Sequence, residues 1–172
     1  MWARPLPLNS GVRSEEEANR AIRRHGDTVR RLCLVYLKER ADAEDIFQTV
    51  FLKYVLSSAR FESEEHERAW FIRVTRNACR DLLKSCFCRR TVPLEQLCDL
   101  PADAPEDTSY VLDAVLALPK KYREVVYLHD YEGYTAPQTA ALLKKNVNTV
   151  YTLLSRARAL LRERLGGDED GE

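Results

Sequence analysis

Four cations recur at helical spacing in one stretch of the chain: Arg73, Arg76, Arg80 and Lys84. At 100° per residue they fall within about 80° of one another, with Phe71, Val74, Ala78 and Leu82 roughly opposite, so a helix here carries a basic ridge and an apolar back. Trp70 and Asn77 border the ridge. Guanidinium and ammonium groups bind phosphates, a flat indole stacks on a base, and a carboxamide hydrogen-bonds a base edge. That combination suits DNA whose bases are exposed. A solvated charged face with Trp70 in the core satisfies the same spacing.

Two further constellations accompany it. From about Val147 to Leu165, the residues Val150, Leu154, Ala157 and Leu161 share one side of a helix, flanked by Leu153 and Leu160. Asn148, Tyr151, Thr152, Ser155, Arg156 and Arg162 share the other. A helix entering the major groove reads base edges with its N-terminal outward residues and anchors on phosphates with basic ones, and this distribution meets both needs. From Ala41 to about Ser58, Ile46, Phe47, Val50, Phe51 and Tyr54 form an apolar stripe, while Asp45, Gln48 and Leu52 gather opposite it. Acids such as Asp42, Glu44 and Asp45 in a first turn favour the positive end of the helix dipole. Gln48 and Leu52 fall outside that explanation and form, with Asp45, the pattern of a docking surface for another helix.

Catalysis has little support. His25, His66 and His129 stand in no constellation with a nucleophile or carboxylate and read as surface histidines, and no Gly-rich loop is available to cradle phosphate. Cys86, Cys88 and Cys98, with His66, offer a metal or thiol sensor as a rival reading, but Cys-x-Cys followed by one distant Cys is not the usual paired zinc spacing. No cofactor and no metal are expected.

The elements that must position these groups are helical. The chain of 172 residues has only 6 Gly and 7 Pro, with 45% hydrophobic and 31% charged residues, a globular balance that favours helix and makes an all-β fold or wholesale disorder improbable. A helix is expected from Glu15 to His25, stopped by Gly26. A second, capped by Asp27, carries the stripe Val29, Leu32, Cys33, Tyr36 and Leu37. A third runs from Ala41 to Ser58 and a fourth from Glu65 to Lys84. Further on, Tyr110 to Leu118 and Pro119 to Tyr131 form two more helices, with Gly133 as a stop. Thr135 caps a short helix to Leu143, the turn 144–146 follows, and then comes the long helix. Short helix, tight turn and longer helix make a helix-turn-helix pattern.

Charge separates these helices into blocks. Residues 1–90 hold 18 Lys/Arg and 13 Asp/Glu, residues 91–118 hold six acids and no base, and residues 119–165 hold 9 bases and 4 acids. The acidic stretch also carries Pro93, Pro101 and Pro105, a composition that cannot bury enough apolar surface to order itself. The expected fold is therefore all-α, with two small helical domains, 15–88 and 108–166, joined by a flexible acidic linker at 89–107 and followed by a disordered acidic tail at 167–172. No apolar run is long enough to cross a bilayer and Met1 to Asn9 lacks the apolar stretch of a secretory signal, so a cytoplasmic protein without membrane insertion is expected, its five cysteines reduced.

With these residues in place, the chain resembles the extracytoplasmic-function (group four) sigma factors of bacterial RNA polymerase over about residues 25–165. Ala41 to Leu52 resembles the family's core-binding segment, and Trp70 to Asn77 with Asp81-Leu82-Leu83 its promoter-melting segment. Leu118-Pro119, Tyr122-Arg123, Gly133-Tyr134-Thr135, Thr149-Val150 and Ser155 to Arg158 resemble the region that reads the upstream promoter element. The resemblance implies a transcription initiation factor, not an enzyme, whose partners are core RNA polymerase (the clamp and flap regions), promoter DNA and an anti-sigma factor. It assigns core binding to Asp42, Asp45, Gln48 and Leu52. Minus-ten recognition and melting fall to Trp70, Arg73, Arg76, Asn77, Arg80 and Lys84, with the loop Ser57 to Glu67 holding a flipped base. Minus-thirty-five recognition falls to Asn148, Thr149, Tyr151, Thr152, Ser155, Arg156 and Arg158. The alternative from another class is a stand-alone helix-turn-helix regulator binding duplex DNA by its C-terminal part alone.

Overall fold

The structure, a computed structural model, describes residues 12–37, 39–89 and 110–166, the side chains of 87–89, 110–112 and 166 aside. Among the described residues every regular element is helical. The helices are α1 (Glu15–Tyr36), α2 (Arg40–Leu56), α3 (Glu64–Arg89), α4 (Tyr110–Leu116), α5 (Lys120–Val126), α6 (Ala136–Leu143) and α7 (Val147–Gly166). Helices α1, α2 and α3 pack mutually, α5, α6 and α7 form a second group with α4 on α5 and α7, and α5 and α6 also touch α1 and α3. The linker and tail expected at 89–107 and 167–172 lie outside the described residues apart from Arg89, which belongs to α3.

Helix α1 begins in a reciprocal cap: the Ser14 hydroxyl accepts from the Glu17 amide at 3.2 Å, and the Glu17 carboxylate accepts from the Ser14 amide at 2.9 Å. It then continues through Gly26, correcting the expected break there. A mid-helix glycine costs only about 1 kcal/mol relative to alanine. Here Ala21, His25, Val29, Leu32 and Tyr36 form one uninterrupted buried face across it, so packing outweighs local propensity. Asp27 lies inside the helix, exposed, and caps nothing. The first group therefore has three helices rather than four.

At the centre of this group, Phe71 of α3 is fully buried, its ring centroid 4.8 Å from His25, 5.0 Å from Phe51, 4.9 Å from Tyr54 and 5.1 Å from Trp70. Ile72, Thr75 and Cys79 follow inward, and the Thr75 hydroxyl is satisfied within the helix by the Phe71 carbonyl at 2.7 Å. In the second group, Leu118, Val125, Tyr127, Leu128, Leu143, Val150, Leu154 and Ala157 make the core.

The stretch from Pro119 to Tyr131 is helical as expected, but it widens at its end. Tyr127–Tyr131 is a π-helical turn closed by the Glu132 amide on the Tyr127 carbonyl at 2.9 Å. Gly133 follows at φ +79°, a conformation that glycine adopts without the Cβ penalty. Thr135 caps α6 with the same reciprocal geometry, paired with Gln138. Lys144 ends α6 in the left-handed region at φ 53°, and the Asn146 side chain accepts from the Asn148 amide at 2.8 Å to start α7. These contacts fix the angle of the helix-turn-helix.

Truncating Phe71 to Ala removes the ring on which His25 of α1, Phe51 and Tyr54 of α2 and Trp70 of α3 converge. Equilibrium chemical denaturation should show a loss of about 3–5 kcal/mol, at the upper end of core truncations.

Candidate nucleic-acid interface

The outer face of α2 is assembled as its spacing predicts. Asp45 and Gln48 are exposed, Asp42 is half-buried, and Leu52 is 58% exposed while Val50, Phe51 and Tyr54 point inward. Leu56, one turn further, is also exposed, extending the aliphatic part of this surface. Its i+4 spacing from Leu52 was the available signal.

On α3, Arg73, Asn77, Arg80 and Lys84 are exposed, and Trp70 is half-buried with its ring edge-on to those of Tyr54 and Phe61, each at 5.8 Å between centroids. Trp70 therefore belongs partly to the core and partly to the surface. Arg76 departs from the expected ridge. It is 4% exposed, and its guanidinium donates to the Leu143 carbonyl at the end of α6 at 3.0 Å. Helical phase places Arg76 beside Arg73 and Arg80, but the second group of helices covers that part of the ridge.

Beside α3 lies an open cleft of about 630 Å³ between the start of α1 and the loop 57–63. Arg13, Tyr54, Phe61, Glu62 and Glu67 are among its walls. Arg13, which sequence reasoning passed over, holds the cleft together: its guanidinium lies over the Tyr54 ring at 4.2 Å and the Phe61 ring at 5.2 Å, and it donates to the carbonyls of Tyr54 and Ala59. It precedes α1 in a stretch without periodicity, so nothing local marked it.

Glu67 forms the floor. Its carboxylate accepts from the Tyr54 hydroxyl at 2.6 Å and pairs with His25 Nε2 at 3.0 Å, with Arg24 at 3.5 Å. Burial alone would raise the Glu67 pKa, but the hydrogen bonds from Tyr54 and His25 outweigh it and hold the carboxyl below its ordinary value. Burial likewise leads in pushing the Tyr54 hydroxyl up to about 12, aided by Glu67. His25, expected at the surface, is thus a buried partner of a carboxylate, 2% exposed and packed on Phe71. Its place in the α1 stripe, between Ala21 and Val29, carried that information.

On α7 the residues Asn148, Thr149, Tyr151, Thr152, Ser155, Arg156 and Arg158 are all exposed, and Val150, Leu154 and Ala157 are buried. Arg158 is held by Asp130 at 2.6 Å, and Asp130 is also 2.8 Å from His129. Burial would raise the Asp130 pKa, and the Arg158 and His129 contacts more than reverse this. The π-helical turn puts Asp130 there.

Two of the cysteines, Cys33 and Cys79, are free and buried, and Cys86 is partly exposed. His66 sits near the start of α3 and Cys86 near its end, twenty residues or about 30 Å along one helix, so these two do not converge. Cys98 and the side chain of Cys88 lie outside the described residues.

Residues 21–85 match the family model of sigma-70 region 2, and residues 108–161 match that of sigma-70 region 4. The ECF RNA polymerase sigma factor SigM of Mycobacterium tuberculosis is 31% identical over 148 residues, covering 84% of this chain and 75% of the relative. The chain belongs to the ECF sigma factors. The RNA polymerase sigma-E factor of Streptomyces coelicolor is 32% identical over 151 residues, covering 84% of the chain and 83% of the relative. Among solved structures, the sigma factor RpoE in complex with the anti-sigma factor NepR from Bartonella quintana has the same fold, at TM-score 0.69 and 21% identity over 89% of this chain and 98% of that one. CnrH in complex with the cytosolic domain of CnrY aligns at TM-score 0.60 and 22% identity, covering 92% of each chain. As an RNA polymerase sigma factor, the protein binds core polymerase and promoter DNA and directs transcription initiation. No helix of the described residues is long and apolar enough to cross a membrane.

The Glu67 network predicts a pH signature. Because its folded pKa is depressed, the stabilisation from Glu67 is complete above its ordinary value of 4.5 and is lost as pH falls through the lower folded value. Glu67→Gln should lose about 1–3 kcal/mol at pH 7. Denaturation curves between pH 7 and 3 should then show a shallower acid-side decline than in the wild type.

Proposed function

We propose a division of labour for this sigma factor in which residues 15–88 bind polymerase and open DNA while residues 108–166 read duplex. The outer face of α2, with Asp42, Asp45, Gln48 and Leu52, docks on the clamp of the polymerase's largest subunit. Trp70, Arg73, Asn77, Arg80 and Lys84 on α3 hold the minus-ten element as single strand, joined by Arg76 once it is uncovered. The cleft beside Tyr54 and Phe61 takes a base out of the stack. Flipping a base costs a few kcal/mol, which aromatic walls and phosphate contacts offset, and no nucleotide hydrolysis enters.

On α7, Asn148, Thr149, Tyr151, Thr152, Ser155 and Arg156 read the minus-thirty-five element in the major groove, and Arg158 meets the backbone. The observation that carries this part is the division of α7: seven assigned side chains outward and exposed, with Val150, Leu154 and Ala157 buried behind them. The acidic stretch 89–107 links the two parts and lies along the polymerase interior. The protein acts in the cytoplasm, contributes no catalysis of its own, and is held in check by an anti-sigma factor. The sigma factor RpoE, which shares this fold, occurs in complex with the anti-sigma factor NepR, and this supports that last assignment.

Reconstituted run-off transcription with core polymerase tests the assignment. Asp45→Arg should abolish product while circular dichroism remains that of the wild type, since Asp45 is exposed and the charge reversal meets the polymerase rather than the core. Arg156→Ala should narrow the difference between an intact and a scrambled upstream element by about 1–3 kcal/mol. Wild-type activity in both variants would refute the site assignment.

A further inference from the structure

Residues 12–20 precede the stretch that matches sigma-70 region 2, yet Arg13, Glu17 and Arg20 help line the cleft beside α3, together with Ala59 and Phe61 of the loop after α2. The two aromatic rings of that cleft are held in different ways. Tyr54 belongs to α2, and its hydroxyl is fixed on Glu67 at 2.6 Å. Phe61 sits between α2 and α3, outside any helix, with its ring 6.2 Å from that of Tyr54 at an interplanar angle of 11°. A loop outside regular structure loses conformational freedom when a ligand forces it into one shape, and that loss weakens binding.

Arg13 supplies the restraint in advance. Its backbone amide donates to the Val55 carbonyl at 2.9 Å, its Nε to the Tyr54 carbonyl at 3.1 Å, and its Nη2 to the Ala59 carbonyl in the loop. The guanidinium carbon lies 4.2 Å from the centre of the Tyr54 ring and 5.2 Å from that of Phe61, so with the 6.2 Å between the rings the three groups close a triangle. The cation therefore stands beside the ring pair and not between its members. Its Nη1 is 3.9 Å from Glu17, the residue that caps α1 with Ser14. One side chain thus joins the start of α1, the end of α2 and the loop. Only a planar fork can stack and donate in two directions at once, and a lysine ammonium cannot reproduce it.

We propose that Arg13 is a positioning residue for base capture: it holds the loop 57–63 in its base-accepting shape before DNA arrives, so a residue ahead of the matched region 2 sharpens base preference at one position of the melted strand. This rests on the reading of the cleft as the place that takes a base out of the stack. The cations of α3 act on phosphates whatever the base, whereas a loop ordered by Arg13 acts only where a base enters the cleft.

The test assembles core polymerase with the full chain as wild type, Phe61→Ala, Arg13→Ala and Arg13→Lys. Each holoenzyme selects from a pool of single-stranded DNA oligonucleotides randomised over a short window, and the bound fraction is sequenced. The position whose base preference Phe61→Ala flattens is the one the cleft reads. Arg13→Ala should lower the ratio of favoured to disfavoured base at that same position about three- to tenfold, the factor expected for ordering a loop side chain or two on binding, and leave the other positions as they are. Arg13→Lys should behave like Arg13→Ala. Without DNA, hydrogen exchange in 57–63 should quicken about tenfold in Arg13→Ala while α7 is unchanged.

If Phe61→Ala flattens no position, the base-capture reading falls and the role of Arg13 in it falls with it. If Phe61→Ala flattens one position and Arg13→Ala leaves that position sharp, base capture stands and positioning by Arg13 is overturned. Flattening of every position by Arg13→Ala, or full recovery by Arg13→Lys, would reduce Arg13 to a general stabiliser or a plain cation and also overturn it. Unchanged exchange in the loop would remove the restraint itself, a result that is independent of DNA.

Discussion

Phe71 meets His25, Phe51, Tyr54 and Trp70 at once, and that contact fixes how α3 is rolled about its own axis. Everything asked of α3 follows from the roll. With Phe71, Ile72, Thr75 and Cys79 inward, Arg73, Asn77, Arg80 and Lys84 are committed to the outside, and Trp70 is left at the boundary with one edge in the core. A rotation of one residue, 100°, would bury a cation and expose a ring. The Glu67 carboxylate locks the same register from the other direction, since it ties α3 to His25 on α1 and Tyr54 on α2.

The second group of helices uses local rather than long-range devices for the same purpose. The Thr135 cap, the left-handed Lys144 and the Asn146 side chain set where α6 stops and α7 starts within a few residues. That is why the outward set on α7 emerges intact. The π-helical turn adds one departure from regularity. It aims Asp130 at Arg158, so one of the basic groups on the outward face of α7 is already paired with a carboxylate, and under the proposed reading a DNA phosphate must compete with it.

Most of this was legible in the sequence because amphipathic helices announce their buried side. The α2 and α7 faces followed from spacing alone, and Thr135 was recognisable as a cap from its place before an apolar run. What escaped has a common physical origin in contacts between distant segments. Gly26 looked like a stop because the local cost of glycine is visible and the burial of His25 and Val29 on either side is not. Arg76 has the helical phase of a surface residue and becomes buried through Leu143, sixty-seven residues away. Arg13 precedes any periodic pattern, and its value comes from rings on α2 and in the loop after it.

The proposed division of labour separates recognition from chemistry: the surfaces of this protein read and pry, and the polymerase supplies the reaction. The most direct check of that claim is permanganate footprinting of promoter DNA with core polymerase and this chain, without nucleoside triphosphates. Unpaired thymines should appear around the minus-ten element only when both proteins are present. Thymines that stay unreactive with the complete mixture, or that react only when a hydrolysable nucleotide is added, would contradict it.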